Sequence, residues 1–196
     1  MRTRVLLGAL LLAPHCLAQD HPSPTLQNGV ISYTAKDGKR VPLRVGFSCS
    51  DLWVAPGGGA IAFIAVKEEK PPGPNEIAPF IERSDVYIAM RRQNFQPARI
   101  AASPSIDGVV WNVAREPKLS PDMQSIYFLV PNYMTSFQLT RKPLGENSYE
   151  RIADVQDYCV VWGGPHSGDL ILLVPKDGAQ GGAQRTRATG ASARQD

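Results

Sequence analysis

Residues 117–130 read Pro-Lys-Leu-Ser-Pro-Asp-Met-Gln-Ser-Ile-Tyr-Phe-Leu-Val, and this stretch decides the fold class of the 196-residue chain. A polar turn that contains Pro121 and Asp122 runs directly into an alternating apolar strand. Proline fixes φ and aspartate tolerates left-handed backbone, so this order of residues is typical of a tight turn between antiparallel strands. The stretch therefore predicts a β-hairpin.

Further strand pairs surround this hairpin, and no 3.6-residue apolar period follows the N-terminal leader. Most of the predicted pairs have a turn of Asp-Gly, Gly or Pro residues between two apolar runs. The predicted strands are residues 30–35 and 40–45, 52–54 and 60–66, 85–90 and 97–100, 126–130, 136–141 and 149–152, and 158–162 and 169–174, with 109–113 as an extra strand. The pattern predicts an all-β domain over residues 29–176.

The segments outside this domain have their own signatures. Residues 1–18 carry a basic start, a short apolar run and Ala18 as a cleavage site, which is the layout of a secretory signal peptide. The apolar run is too short to span a bilayer, so we expect a mature chain without a transmembrane segment, periplasmic or secreted. Residues 19–28 are predicted to be a flexible lead-in, residues 68–84 a Pro-rich insertion, and residues 177–196 a disordered tail.

Charge and cysteine content narrow the classes of function. Without the leader, 19 basic residues face 18 acidic ones, so no basic face for nucleic acid is predicted. Cys49 and Cys159 remain, and two states stay open for them: a disulfide in an oxidising compartment, or two buried thiols. No residue pattern indicates a cofactor or a metal site, and His166 is predicted to be an exposed turn residue.

Three units of the chain share an outline of a large apolar residue, a Pro-containing turn and an alternating strand. They begin at Trp53, Leu119 and Trp162, and the last two lie 43 residues apart, within the roughly 40–45 of a four-stranded propeller blade. The unit from Leu119 resembles the WD40-like repeat of TolB-type β-propellers, with Leu119 for the usual Trp and Met123 for the usual Gly. The resemblance implies propeller-like repeats in a partial or degenerate ring, and a two-sheet β-sandwich is the alternative.

The resemblance also implies a function class. It favours an exported, non-enzymatic binding or scaffold protein of the bacterial cell envelope, with an envelope or extracellular protein as partner and self-association as a way to complete the ring. Aromatic residues in or beside loops are candidate protein contacts. They are Phe80, Phe95, Trp111 and Tyr133, with Tyr149 beside them. The alternative is a secreted hydrolase, or the accessory domain of one, that uses a pair of carboxylates from Glu146, Glu150, Asp154 and Asp157.

Overall fold

The computed structural model describes residues 23–35, 37–67, 83–101, 105–106, 109–110, 114–131, 136–175 and 183–188. In these ranges the protein is all-β, with two single 3-10 turns at Arg91–Gln93 and Gly164–His166. The predicted signal peptide and most of the Pro-rich insertion lie outside the described residues. Nowhere in the described ranges does a helix reach the length and apolarity that a bilayer crossing requires.

Sheet 1 contains β1 (Thr25–Gln27), β2 (Val30–Thr34) and β3 (Arg40–Pro42), paired antiparallel in that order. The predicted Asp-Gly turn joins β2 to β3, and the amide of Gly38 donates to the carbonyl of Ala35 at 3.0 Å. The prediction of a flexible lead-in is wrong for residues 25–27. These residues form β1 because Leu26, opposite Ile31 in the ladder, packs onto a buried cluster.

Sheet 2 and sheet 3 are four-stranded antiparallel meanders. Sheet 2 contains β4 (Ser48–Val54), β5 (Ala60–Lys67), β6 (Arg83–Met90) and β7 (Gln96–Ala101). A two-stranded hairpin of β8 (Ser105–Ile106) and β9 (Val109–Val110) follows. Sheet 3 contains β10 (Arg115–Leu119), β11 (Ser125–Pro131), β12 (Phe137–Pro143) and β13 (Glu150–Val155).

Sheet 4 contains β14 (Asp157–Val160), β15 (Leu170–Pro175) and β16 (Ala183–Ala188). The prediction of a disordered tail is wrong for residues 183–188, which pair with the whole length of β15 from Leu170↔Ala188 to Pro175↔Ala183. Backbone hydrogen bonds to a neighbouring strand need no apolar side chain, so composition alone did not reveal this strand.

The four sheets stack face to face, because three buried clusters lie between successive sheets. Ile31 of sheet 1 packs with Phe63 of sheet 2. Ile64 on the other face of sheet 2 packs with Phe128 of sheet 3. Side chains on the second face of sheet 3 pack with sheet 4 residues in the last cluster, which contains Tyr127, Leu129, Leu139, Val155, Tyr158, Val160, Leu170 and Leu172. Since successive side chains of a strand point to opposite faces, the central strands of sheets 2 and 3 need apolar residues toward both neighbouring sheets, as residues 60–66 of β5 and 126–130 of β11 provide.

Sheets 2 and 3 are two copies of one blade, and the irregularities of their ladders show it. The first strand of each sheet, β4 or β10, contains one extra residue relative to its partner. In sheet 2 the extra residue lies between the pairs Ser50↔Ile64 and Trp53↔Ala62. In sheet 3 it lies between the pairs Arg115↔Leu129 and Lys118↔Tyr127. The bulged positions Asp51 and Glu116 both have φ of 49°. A second slip recurs between Val86 and Tyr87 and between Leu139 and Thr140.

This correspondence corrects the alignment of the repeats. Leu119 pairs with Ile126 as Val54 pairs with Ile61, so Leu119 is the counterpart of Val54 and not of Trp53. The turns after them have equal length, since Ala55 N donates to Ala60 O and Ser120 N donates to Ser125 O, both at 2.9 Å. In sheet 4 the corresponding turn is longer, from Val161 to Asp169. The units that begin at Trp53 and Trp162 agree in length when the two tryptophans are aligned, but the prediction that they correspond is wrong because the turn of sheet 4 is longer.

Four stacked antiparallel sheets, two of them complete four-stranded blades, make an open propeller-like fold. A two-sheet sandwich would have one layer of core, whereas the described residues form three. The all-β, propeller-like prediction is confirmed.

Candidate functional site

A cleft of about 420 Å³ opens at the end of sheet 3, where the β10–β11 turn meets the β12–β13 connection. We call it the Tyr149 cleft. It is lined by polar and charged side chains with one aromatic ring and two smaller apolar residues: Gln124, Ser125, Arg141, Pro143, Leu144, Glu146, Ser148, Tyr149 and Glu150.

Gln124 and Ser125, which line one side of the Tyr149 cleft, directly follow the Ser-Pro-Asp turn at residues 120–122 and are held in place by hydrogen bonds to its side chains. The hydroxyl of Ser120 lies 2.5 Å from Asp122 Oδ1 and accepts the amide of Ser125 at 2.9 Å. Asp122 Oδ1 also accepts the amide of Gln124 at 2.9 Å. The hydrogen bond from Ser120, followed by that from the Gln124 amide, lowers the pKa of the Asp122 carboxyl below its ordinary value. The turn is thus fixed by hydrogen bonds within itself before any ligand arrives.

Arg141 crosses the cleft and ties three strands together. It lies opposite Glu150 in the β12–β13 ladder, and its Nη1 is 3.1 Å from Glu150 Oε2. Its Nε donates to Ser125 Oγ on β11 at 3.0 Å. Because cross-strand neighbours have Cβ atoms about 4.5–5.5 Å apart, the ladder register itself places this ion pair at the rim.

Tyr149 is the exposed aromatic residue of the cleft, with 45% of its surface accessible. Lys142 Nζ lies 5.1 Å from the centre of its ring, and Phe128 meets the ring edge-on at 87° and 6.5 Å. Lys142 is itself buried and donates to the carbonyl of Glu146. Partial burial raises the pKa of the Tyr149 hydroxyl, so the ring presents a neutral phenol at physiological pH. The ring packs against Phe128 and Lys142 while nearly half of the residue's surface stays accessible.

The carboxylates considered for hydrolysis separate into different places. Glu146 and Glu150 both line the Tyr149 cleft. Glu146 Oε2 accepts a hydrogen bond from Ser148 at 2.8 Å, and Glu150 pairs with Arg141. Asp154 pairs with Arg151 at 2.6 Å. Asp157 accepts the amide of Tyr158 at 2.6 Å, in sheet 4.

The structure corrects one predicted protein contact. Phe95 is 3% exposed, so its expected place on the surface is wrong. Asn94 and Phe95 both have positive φ, and Phe95 N donates to Met90 O at 2.9 Å, which turns the ring inward against Tyr33 with centroids 4.7 Å apart. Phe80, Trp111 and Tyr133 lie outside the described residues and stay predictions.

The cysteines are not bonded to each other. Cys49 is a buried free thiol on β4 and Cys159 is an exposed free thiol on β14, two sheets away. The disulfide alternative is therefore contradicted. The second alternative, two buried thiols, holds for Cys49 alone, where burial raises the thiol pKa to about 11.

His166 lies in the 3-10 turn of sheet 4, with Nδ1 3.5 Å from Asp169 Oδ2 and more than half of its side chain exposed. Its predicted exposure is confirmed. Within the described ranges, no three His, Cys, Asp or Glu side chains come together in a way that could hold a metal ion.

Sequence reasoning noticed Tyr149 but missed Arg141, Lys142 and Ser148, which complete the cleft with it. A signal for Arg141 existed, since the hairpin across residues 145–147 brings it opposite Glu150. No comparable signal existed for Lys142, because its contact with Tyr149 depends on the path of an irregular connection.

Comparison with known proteins gives likenesses at the level of solved structures. The chain is similar to the crystal structure of TolB from Acinetobacter baumannii, with 16% identity and a TM-score of 0.44 over 82% of this chain. It spans about two fifths (39%) of the length of that protein. A second structure, described as "putative TolB from Agrobacterium tumefaciens", has 13% identity and a TM-score of 0.33, covering 87% of this chain and 71% of that one.

No protein-family model matches the chain. The comparison with curated proteins likewise found no match. The assignment of the fold therefore rests on the strand pairing and stacking described above.

Proposed function

We propose that this chain is an exported, non-catalytic binding module of the bacterial cell envelope that holds a protein partner at the Tyr149 cleft. The observation that supports this proposal best is the position of Tyr149, which is 45% exposed yet packed on Lys142 and Phe128. Tyrosine is enriched among the residues that dominate binding energies, because it buries a large ring with little loss of conformational freedom.

The rest of the cleft suits a polypeptide segment. Its volume of about 420 Å³ accommodates one or two side chains of an inserted loop. Arg141 and Glu150 offer a donor and an acceptor side by side, and the amides and hydroxyls of Gln124 and Ser148 add neutral hydrogen-bonding groups. A partner loop with an apolar side chain over Tyr149 and polar groups at its flanks fits this lining.

A hydrolase that uses Glu146 and Glu150 is the second candidate, because both carboxylates line the same cleft. The surroundings of Glu150 favour binding over catalysis. Arg141 Nη1 lies 3.1 Å from Glu150 Oε2, and Ser148 donates to Glu146 Oε2 at 2.8 Å, so each carboxylate has one oxygen engaged in a contact within the cleft wall.

The test uses the mature protein from residue 19 as bait for solubilised envelope proteins, quantified by mass spectrometry. Tyr149→Ala is compared with Phe47→Ala, a matched control because Phe47 is an aromatic residue of similar exposure, 43%, at the start of sheet 2. We expect a partner that is retained by the wild type and the control and is depleted at least tenfold by Tyr149→Ala. Equal retention by all three proteins would contradict binding at the cleft.

Two further variants separate the alternatives. A deletion of residues 69–81 tests whether the Pro-rich insertion contributes contacts of its own. Glu150→Gln is assayed against ester, peptide and glycan substrates, and hydrolysis that disappears in this variant would replace the binding proposal by the hydrolase.

A further inference from the structure

Glu146 is the one charged side chain in the lining of the Tyr149 cleft that has no oppositely charged partner among the described residues. The other carboxylate of the lining, Glu150, lies 3.1 Å from Arg141 Nη1. Within the same ranges the Glu146 carboxylate accepts one hydrogen bond, at 2.8 Å, and its donor is the neutral hydroxyl of Ser148. The cleft therefore presents one negative charge that the surrounding side chains do not balance.

The cations around the cleft are already engaged with other groups. Arg141 is held in the ion pair just described, and Lys142 donates to the main-chain carbonyl of Glu146. Burial raises the pKa of the cleft tyrosine and the charge of Arg99 on β7 opposes this rise, but Arg99 itself is paired with Asp85 at 3.5 Å. The group that pairs with the Glu146 carboxylate is therefore to be sought in the ligand.

The exposed ring of Tyr149 favours a cationic ligand group as well. The face of a tyrosine ring attracts a cation that lies within about 6 Å of the ring centre. Lys142, which is itself buried, uses this attraction at 5.1 Å, and 45% of the surface of Tyr149 remains accessible. A planar guanidinium can stack on a ring and offer paired N–H donors to a carboxylate at the same time, whereas an ammonium is a compact, strongly hydrated charge. An arginine side chain thus suits the ring and the carboxylate together.

We infer that the partner protein inserts an arginine side chain into the Tyr149 cleft, with its guanidinium on the Tyr149 ring and its N–H groups donating to Glu146. This inference rests on the proposed function and names the chemical group of the partner that the cleft selects. A volume of about 420 Å³ holds one long side chain. An acidic side chain in its place would meet like charges on Glu146 and Glu150, and a neutral one would desolvate the Glu146 charge without pairing it, which costs free energy.

The first test measures how an arginine derivative binds to the isotope-labelled mature protein. Nα-acetyl-arginine methylamide is titrated in an NMR experiment that follows the main-chain amides of Ser148 and Glu150. The citrulline derivative is the matched control, because it replaces the guanidinium by a neutral urea of nearly the same shape. We expect the arginine derivative to bind at least about tenfold more tightly, since it alone carries the charge that Glu146 lacks a partner for. Equal affinity for the two derivatives would overturn the inference.

Substitutions in the cleft test the two contacts separately. Glu146→Gln keeps an oxygen for the Ser148 hydroxyl and removes only the charge, so the affinity for the arginine derivative should fall at least about fivefold. Asp37→Asn is the matched control, since it removes the same charge from a side chain that is 57% exposed in the β2–β3 turn, and it should leave the affinity unchanged. Tyr149→Phe keeps the ring and should stay within about twofold of the wild type, whereas Tyr149→Leu should bind at least about threefold more weakly. An unchanged affinity in Glu146→Gln would overturn the ion pair, and equal affinities in the phenylalanine and leucine variants would overturn the stacking.

Capture of the envelope partner distinguishes this inference from the proposed function. A partner that is depleted by Tyr149→Ala but fully retained by Glu146→Gln would overturn the arginine contact and leave the cleft as a protein-binding site. A partner depleted by both variants would support the inference. Glu146-dependent binding of the arginine derivative without any captured partner would support the selected group and contradict the proposed function.

Discussion

Removal of one buried hydroxyl should measure how firmly sheets 3 and 4 hold together. Tyr158 on β14 is buried, and its hydroxyl contacts the carbonyls of both Glu116 and Tyr127 in sheet 3. Glu116 lies in the bulge with positive φ, where no partner strand residue stands opposite it in the ladder. The hydroxyl of the neighbouring sheet therefore supplies a hydrogen bond that the ladder does not.

Tyr158→Phe keeps the ring and removes only this hydroxyl. Lys118 Nζ, 4.1 Å from the ring centre and 2.6 Å from the Tyr158 carbonyl oxygen, keeps both contacts in the variant. A buried acceptor left without its donor costs about 1–3 kcal/mol, so we expect a loss of about 2 kcal/mol in the free energy of unfolding at pH 7. The measurement is urea unfolding followed by circular dichroism, with an unchanged m-value as the check on two-state behaviour.

The control is Tyr33→Phe, whose hydroxyl makes an exposed contact of 3.3 Å with the carbonyl of Asn94. This variant should stay within about 0.5 kcal/mol of the wild type. If Tyr158→Phe also stays within that margin, the hydroxyl does not bridge the sheets and the reasoning is refuted.

The difference in unfolding free energy between the wild type and Tyr158→Phe should depend on pH. Burial raises the pKa of Tyr158 well above its ordinary value of 10 in the folded protein. In the unfolded chain Tyr158 ionises near pH 10, whereas in the folded protein it keeps its proton to higher pH. The stabilising effect of the Tyr158 hydroxyl on the folded state is therefore complete below pH 10 and declines above it. The wild-type advantage over Tyr158→Phe should therefore shrink above pH 10, by about 1.4 kcal/mol per pH unit at most.

Three further changes test local features. Asp122→Asn should lower the free energy of unfolding by about 0.5–1.5 kcal/mol at pH 7. The difference should shrink in urea titrations as the pH falls below 3.8, because the lowered pKa of Asp122 stabilises the folded state fully only above that ordinary value and the effect is lost as the folded-state carboxyl is protonated. Gly29→Ala should destabilise by at least about 1 kcal/mol in thermal unfolding, since φ is 74° and the new Cβ would collide with Ser48 Oγ. Asp51→Val should destabilise by about 1–2 kcal/mol although the site is an exposed strand position, because φ is 49°, whereas Asp51→Gly should stay within about 0.5 kcal/mol.

Turn chemistry made most of the strands predictable from sequence. Asp-Gly at residues 37–38 and Ser-Pro-Asp at residues 120–122 fix where two strands must reverse, and the observed strands flank both. β10 was missed because Glu116, Pro117 and Lys118 are poor strand residues, and Pro117 is tolerated there only beside the bulge. β1 and β16 were missed because short or polar strands gain their order from a neighbouring strand.

The candidate site was less predictable than the fold for a related reason. Whether an aromatic residue beside a turn faces solvent depends on one or two backbone angles. Phe95 follows Asn94 into the left-handed region and turns inward, while Tyr149 leaves an irregular connection and stays half open. Phe95 and Tyr149 are both single aromatic residues among polar neighbours, so only the backbone path distinguishes the core residue from the exposed one.

The two blades of this chain resemble each other in the number of residues between equivalent positions more than in the residues that occupy those positions. Asp51 and Glu116 share an acidic side chain, but Trp53 and Lys118, which stand at equivalent ladder positions, share nothing. Strands β4 and β10 have in common one extra residue in left-handed backbone, which bends the strand and changes the direction of the side chains after it. The side chain next to that bulge is then free to differ: Trp53 packs on the Trp162 ring at 5.4 Å, while Lys118 binds the Tyr158 carbonyl. If Asp51→Val leaves the free energy of unfolding unchanged, the left-handed backbone at the bulge is not what the two blades require in common. The equal shifts in their strand pairing would then need another cause.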